Sequence, residues 1–152
     1  MKIKYILPFL ILICTGIFAE KYTLYFTDIR YSTSKRNFYF MRWDMISARQ
    51  ANSRKRFVQG YFNGKYIIKA EKYLRGIKQE EMNFDKNAAC RVIVKYKRSR
   101  ILYKLFYNSG GFIPYKGGKF NLVKKITYKY GRPKTLTLYN GRGRKIAVRR
   151  LR

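Results

Sequence analysis

Between Lys86 and Arg152 stand 20 lysines and arginines and not one carboxylate. Asp85 is the last acid in the sequence. The cations gather at Arg54-Lys55-Arg56, at Lys95, Lys97, Arg98 and Arg100, at Lys124-Lys125, and at Arg142, Arg144, Lys145, Arg149, Arg150 and Arg152. Guanidinium forks hold phosphate and sulfate oxygens in pairs, and ammonium groups attract them as point charges. The chemistry on offer is capture of anions. A net charge of +29 opposes a compact fold by self-repulsion and favours attraction to something negative. Aromatic rings alternate with these cations at Tyr96-Lys97, Tyr103-Lys104 and Tyr128-Lys129-Tyr130. Basic grooves with stacking rings are one means of holding single-stranded nucleic acid.

Acid–base chemistry has few candidates. The sequence has no histidine, the usual general base near neutral pH. Its acids are Glu20, Asp28, Asp44, Glu71, Glu80, Glu81 and Asp85. Adjacent Glu80 and Glu81 face opposite sides of a strand. Glu71, Glu81 and Asp85 can meet across a hairpin, where neutralising nearby cations is their expected role. A serine or cysteine nucleophile lacks a histidine partner. Gly110-Gly111 and Gly117-Gly118 share only composition with phosphate-cradling loops, lack the P-loop spacing, and read as turns. No catalytic residue, metal site or cofactor is expected.

These side chains sit in segments of period 2. Lys21 to Phe26 sets Tyr22, Leu24 and Phe26 against Lys21, Thr23 and Tyr25. Asn37 to Trp43 reads as extended and aromatic. Arg91 to Tyr96, Val123 to Tyr130, Leu136 with Leu138, and Ile146 with Val148 follow the same alternation. The last pair is expected to face a core while Lys145, Ala147 and Arg149 face outward. Asp44 to Arg56 reads as a short helix capped by Asp44 or as a basic loop. Ala70, Tyr73, Leu74 and Ile77 fit either period, and Gly76 favours the strand. Hydrophobic residues make up 47% of the chain, too many for a disordered basic tail.

Residues 1–19 read as a secretory signal: Lys2 and Lys4, then apolar Ile6 to Ile13, then small residues ending at Ala19. Cleavage before Glu20 leaves one domain over 20–152, exported to the periplasm, the cell surface or beyond. Cys90 is then a lone cysteine, read as a buried small hydrophobe, with a bridge between chains as the alternative.

A degenerate repeat runs through the second half. Tyr73, Gly76 and Phe84-Asp85 form one copy; Tyr96, Ser99 and Tyr107-Asn108 a second; Tyr128, Gly131 and Tyr139-Asn140 a third. Asn63-Gly64 and Asn140-Gly141 are positive-φ turn signals, and Asn108 to Gly111 reads as a further hairpin turn. Tyr61-Phe62-Asn63-Gly64-Lys65 and Tyr139-Asn140-Gly141-Arg142 resemble the units of MORN-like repeat proteins, which include toxin–antitoxin-associated families. The second also resembles the tyrosine–aspartate repeats of large surface proteins. The resemblance covers about residues 60 to 150 and implies a hairpin stack without catalytic residues.

The expected fold is all-β, an antiparallel meander or open hairpin stack, with at most a short helix near 44–56. The expected function is binding of a polyanion through a basic, aromatic-interleaved sheet face. Lipopolysaccharide, anionic lipid, glycosaminoglycan, acidic cell-wall polymer and extracellular nucleic acid all fit. The candidate residues are Lys95, Lys97, Arg98, Arg100, Lys124, Lys125, Arg142, Arg144, Lys145, Arg149, Arg150 and Arg152. The alternative is a protein-interaction module that docks an acidic partner by its sheet edge or aromatic face. A membrane-lytic effector lacks its amphipathic helix. A membrane-spanning barrel is disfavoured by cations on both faces of several strands and by the run Arg149-Arg150-Leu151-Arg152.

Overall fold

Alternating side chains give a strand one face to bury and one to wet. The chain repeats this pattern in twelve strands among the residues that the computed structural model describes, 20–32, 37–107, 122–140 and 142–152. They are β1 (Lys21–Phe26), β2 (Arg30–Ser32), β3 (Asn37–Tyr39), β4 (Met45–Ile46), β5 (Arg56–Asn63), β6 (Tyr66–Leu74), β7 (Ile77–Phe84), β8 (Cys90–Lys97), β9 (Arg100–Tyr107), β10 (Leu122–Lys129), β11 (Arg132–Tyr139) and β12 (Lys145–Arg150). Ten form one sheet in the order β12-β11-β10-β9-β8-β7-β6-β5-β1-β4, with every neighbouring pair antiparallel. From β5 to β12 each strand pairs with the next in sequence, so the expected meander is the fold. Residues 1–19, read above as a signal, and Asn108 to Gly111, Gly117-Gly118 and Gly141 lie outside the described residues. No described helix is long and apolar enough to cross a membrane.

The expected short helix exists as α1 (Ala48–Ser53), but Asp44 does not cap it. Ser47 Oγ accepts the Gln50 N–H at 3.2 Å, and Gln50 Oε1 accepts the Ser47 N–H at 2.8 Å. This reciprocal pair is a capping box, legible as Ser-x-x-Gln. Asp44 instead closes a 3-10 turn over Arg42–Asp44, where it accepts the Thr27 hydroxyl and pairs with Arg30. The extended segment expected to reach Trp43 therefore stops as strand at Tyr39.

Two kinds of link recur among the described residues of the meander. Arg75-Gly76, Arg98-Ser99 and Tyr130-Gly131 close β6–β7, β8–β9 and β10–β11. Both central residues of each turn have φ between 50° and 79°, the type I′ pattern that matches strand twist. The β7–β8 and β11–β12 links share a different construction. Asp85 Oδ1 accepts the N–H groups of Asn87 and Ala89, and Asn140 Oδ1 accepts those of Arg142 and Arg144. The positive φ falls at Ala88 in one and Gly143 in the other. The Asp or Asn here serves as an acceptor for the loop backbone. Gly64 has φ 54° in the β5–β6 turn, as its Asn-Gly signal implies.

The β2–β3 hairpin and Phe40 form a second layer over one face. Ile29, Phe38 and Phe40 pack against a cluster of Val58, Ile67, Ala70, Met82, Cys90, Ile93 and Tyr107. Gly60 makes room for this layer: a Cβ there would stand 3.0 Å from the Phe40 ring and 2.9 Å from that of Phe62. The cluster reaches no further across the sheet than Leu122 on β10. Ile146 and Val148, expected to face a core, are 62% and 55% exposed. Their alternation marks two faces of β12, but no described layer covers either one.

Candidate anion-binding surface

No acid lies beyond Asp85, and most of those before it are consumed by neighbours. Glu71 on β6 stands directly opposite Glu81 on β7, while Glu80 points to the other face. Glu71 is only 4% exposed and accepts from Tyr61 Oη and Tyr73 Oη at 2.8 Å, Lys69 Nζ at 3.1 Å and Lys78 Nζ at 3.2 Å. Lys78 Nζ also donates to Glu81 at 2.8 Å, so one ammonium bridges the two carboxylates. Asn83 and Tyr96 complete the Glu81 shell. Burial alone would raise Glu71; its four donors outweigh that effect and hold the carboxyl at about 2. Burial, followed by the hydrogen bond to Glu71, pushes Tyr73 up to about 12 and raises Tyr61 as well. Burial would lower Lys78, but its bonds to Glu81 and Glu71 prevail and raise it. A carboxylate so fully engaged is ionised and has no free lone pair aimed at a substrate, the opposite of a poised general base.

Asp85, expected to join Glu71 and Glu81, instead binds its own loop and the Arg91 guanidinium. Glu80 contacts both Lys72 and Lys95. Lys95, a candidate ligand-binding cation, is therefore already engaged in the sheet. Among the described residues, no side-chain ion pair involves a residue beyond Lys95. The Cys90 thiol is buried in the core and pushed up to about 12 by desolvation, so it is protonated and shielded from a partner chain.

Apart from Lys97 at the end of β8, the other candidates share the β9–β12 half of the sheet or its turns, but not one face. Register places Lys125 opposite Thr137, and Thr137 opposite Val148, on the face shared with Arg150. Lys124 lies opposite Leu138 on the other face, which also carries Arg149. Lys97, Arg98, Arg100 and Arg152 gather at the end of the sheet that bears the type I′ turns. Arg142, Arg144 and Lys145 occupy the opposite end, about 26 Å away along an eight-residue strand. The expected single basic face is in fact a basic half-sheet, charged on both faces and both ends.

Rings brace several of these cations. Lys124 Nζ lies 4.4 Å from the Phe106 centroid and Lys125 Nζ 4.2 Å from that of Tyr103. Lys104 sits over Tyr128 at 5.6 Å and Lys129 over Tyr130 at 5.1 Å. Lys97, Arg98, Arg100 and Lys129 line a shallow groove with Tyr128 and Tyr130, the latter 80% exposed. Lys104 and Lys129 stood out in sequence only through their tyrosine neighbours and were not carried into the candidate set. Arg132 and Lys134 were missed, and their one signal was that they follow Asp85. An apolar recess of about 580 Å³ among Phe26, Phe38, Phe40, Phe62 and Ile67 lies on the covered face at the other side of the sheet. No group of three metal-ligating side chains occurs among the described residues.

No protein-family model matches the chain, and no curated protein does. Among solved structures it is similar to one of a GtfA/B complex, with a TM-score of 0.44 and 12% identity over 74% of this chain and 20% of that one. It is also similar to S. aureus TarM, solved as a mutant in complex with Fondaparinux, alpha-GlcNAc-glycerol and UDP. That match has a TM-score of 0.42 and 11% identity over 64% of this chain and 18% of the other. The chain thus spans about a fifth of the length of each.

Proposed function

We propose that this protein binds polyanions through the basic half-sheet of β9 to β12 and its turns. The observation that carries the reading is segregation of charge: the described ion pairs end at Lys95, and no acid follows Asp85. Among the described residues, the cations beyond Lys95 have no carboxylate side chain to answer them. Their spread over two faces and two ends suits a long, repeating anion that wraps an edge better than a compact ligand in a pocket. Phosphate or sulfate groups along lipopolysaccharide, an anionic lipid surface, a glycosaminoglycan, an acidic cell-wall polymer or extracellular nucleic acid meet that description. Binding consists of ionic capture with release of counterions, and no bond is made or broken. The reading goes with export directed by residues 1–19.

Replacing Arg142, Arg144, Arg149 and Arg150 together by Gln tests the C-terminal cations. All four side chains stand outside every described ion pair, so the unfolding midpoint should not fall, and relief of self-repulsion should raise it. Elution from heparin should move to lower salt. On a double-stranded DNA probe, removal of each phosphate contact should flatten the logarithmic salt slope by about 0.9. An unchanged elution position would show that these residues merely face solvent.

A further inference from the structure

The two edges of the sheet are unequal. One is β4, only two residues long and followed at once by the capped helix α1. The other is β12, six residues long with every residue exposed. A long regular edge presents unpaired N–H and C=O groups and is an addition site unless something covers or distorts it.

The backbone shows which groups are open. Leu151 N–H donates to Lys134 C=O at 2.8 Å, and Arg150 stands opposite Thr135. In an antiparallel ladder bonded and non-bonded pairs alternate. Ala147, Arg149 and Leu151 therefore turn their backbone groups toward β11, while Val148 and Arg150 turn theirs outward. Side chains flank this open edge in a mixed pattern. Val148 and Arg150 share one face, Ala147 and Arg149 the other, and Ile146 adds exposed apolar surface beside Lys145.

We propose that β12 accepts an extended acidic segment of a partner protein, added antiparallel as an eleventh strand. Backbone bonds to Val148 and Arg150 supply the affinity. Carboxylates answer Arg149 on one face and Arg150 on the other, and an apolar residue packs beside Val148. A second copy of this chain is a poor occupant. Its β12 would bring another Lys145, Arg149 and Arg150 to the same seam, with Arg142, Arg144 and Arg152 close by and no acid after Asp85 in either chain. The proposal shares Arg149 and Arg150 with polyanion binding but is distinguishable from it, because it also depends on backbone groups that a charged polymer does not need.

The test is Val148→Pro. Proline removes the outward N–H and no bond of the β11–β12 ladder, and edge strands tolerate it. The probe is a fluorescent nine-residue peptide carrying the run Glu-Glu-Val, which antiparallel pairing sets against Arg150, Arg149 and Val148 in turn. Wild type should bind it, and Val148→Pro should bind at least tenfold more weakly while eluting from heparin at the wild-type salt. Equal binding by the two, or none by wild type, overturns the proposal. Should Val148→Pro fail to fold, the same peptide with N-methylated backbone amides replaces it. Binding of that peptide as tight as its parent then overturns the proposal too. Dimerisation of wild type that Val148→Pro abolishes would assign the edge to a second copy instead.

Discussion

Glu71 shows how one residue can look catalytic and be structural. It faces a second carboxylate, as many hydrolytic dyads do, but four donors converge on it and Lys78 joins it to Glu81. Removing it takes the acceptor from two phenols and from the Lys69 ammonium, and leaves Lys78 with Glu81 alone. Glu71→Ala should cost about 3 kcal/mol in urea unfolding, by analogy with breaking one side of a buried pair. Glu71→Gln, which keeps an acceptor, should cost less. The carboxyl is held at about 2, below the ordinary 4.5. Its stabilisation is complete above about pH 4.5 and is lost as pH falls toward 2. Glu81 and Asp85, also held low, act in the same direction. Tyr73, raised from 10.0 to about 12, stabilises below pH 10 and ceases to do so as pH climbs through that interval. Wild type should therefore lose stability at both extremes, and Glu71→Gln should show a shallower acid limb. An acid limb of equal steepness in both proteins would remove Glu71 from that account.

At the scale of elements, the turns store the most accessible improvement. Arg98-Ser99 closes β8–β9 with φ of 50° and 62°, conformations that side chains with a Cβ adopt at a cost. The equivalent second position is Gly76 in one sister turn and Gly131 in another. Ser99→Gly should stabilise the protein by about 1 kcal/mol, less the extra freedom that glycine gains in the unfolded chain. A loss of stability in denaturant unfolding would mean that Ser99 makes a compensating contact. Gly60 works the other way, since a methyl group there displaces the Phe40 ring from the sheet. Such overpacking in Gly60→Ala should cost about 1–3 kcal/mol, read as an earlier unfolding midpoint.

For the molecule as a whole, charge and fold pull against each other. The β9–β12 half holds its cations in fixed array with no acidic side chain of its own, so self-repulsion is part of its stability. Raising salt from 0.01 to 0.15 M shortens the screening length from about 30 Å to about 8 Å. The thermal midpoint should rise accordingly, and a gain of about 1 kcal/mol corresponds to about 4 °C in a chain of this size. Added heparin should raise it further at the same ionic strength. A midpoint that falls with sodium chloride would mean that attractive pairs, and not repulsion, dominate the electrostatics of the fold.

Local rules made much of this architecture readable. Period-2 alternation located β1, β8, β10, β11 and β12, and Asn63-Gly64 marked a turn, because strand facing and positive φ are properties of one residue and its neighbours. Ala70 to Ile77 read as one strand, but Arg75-Gly76 breaks it into β6 and β7. Charge segregation after Asp85 was likewise plain in one dimension. What tertiary structure decided were relations between strands. Alternation cannot say which face receives a covering layer, so Ile146 and Val148 looked buried and are not. Register brought Glu71 opposite Glu81 and kept Asp85 away. Contact across the sheet committed Lys95 to Glu80. Successive residues of a strand face opposite ways, so Lys124-Lys125 and Arg149-Arg150, each a single cluster in sequence, divide between two faces. The physical reason is common to all of these: a strand's sequence specifies its own two sides, while only its neighbours and the layer above determine what each side meets.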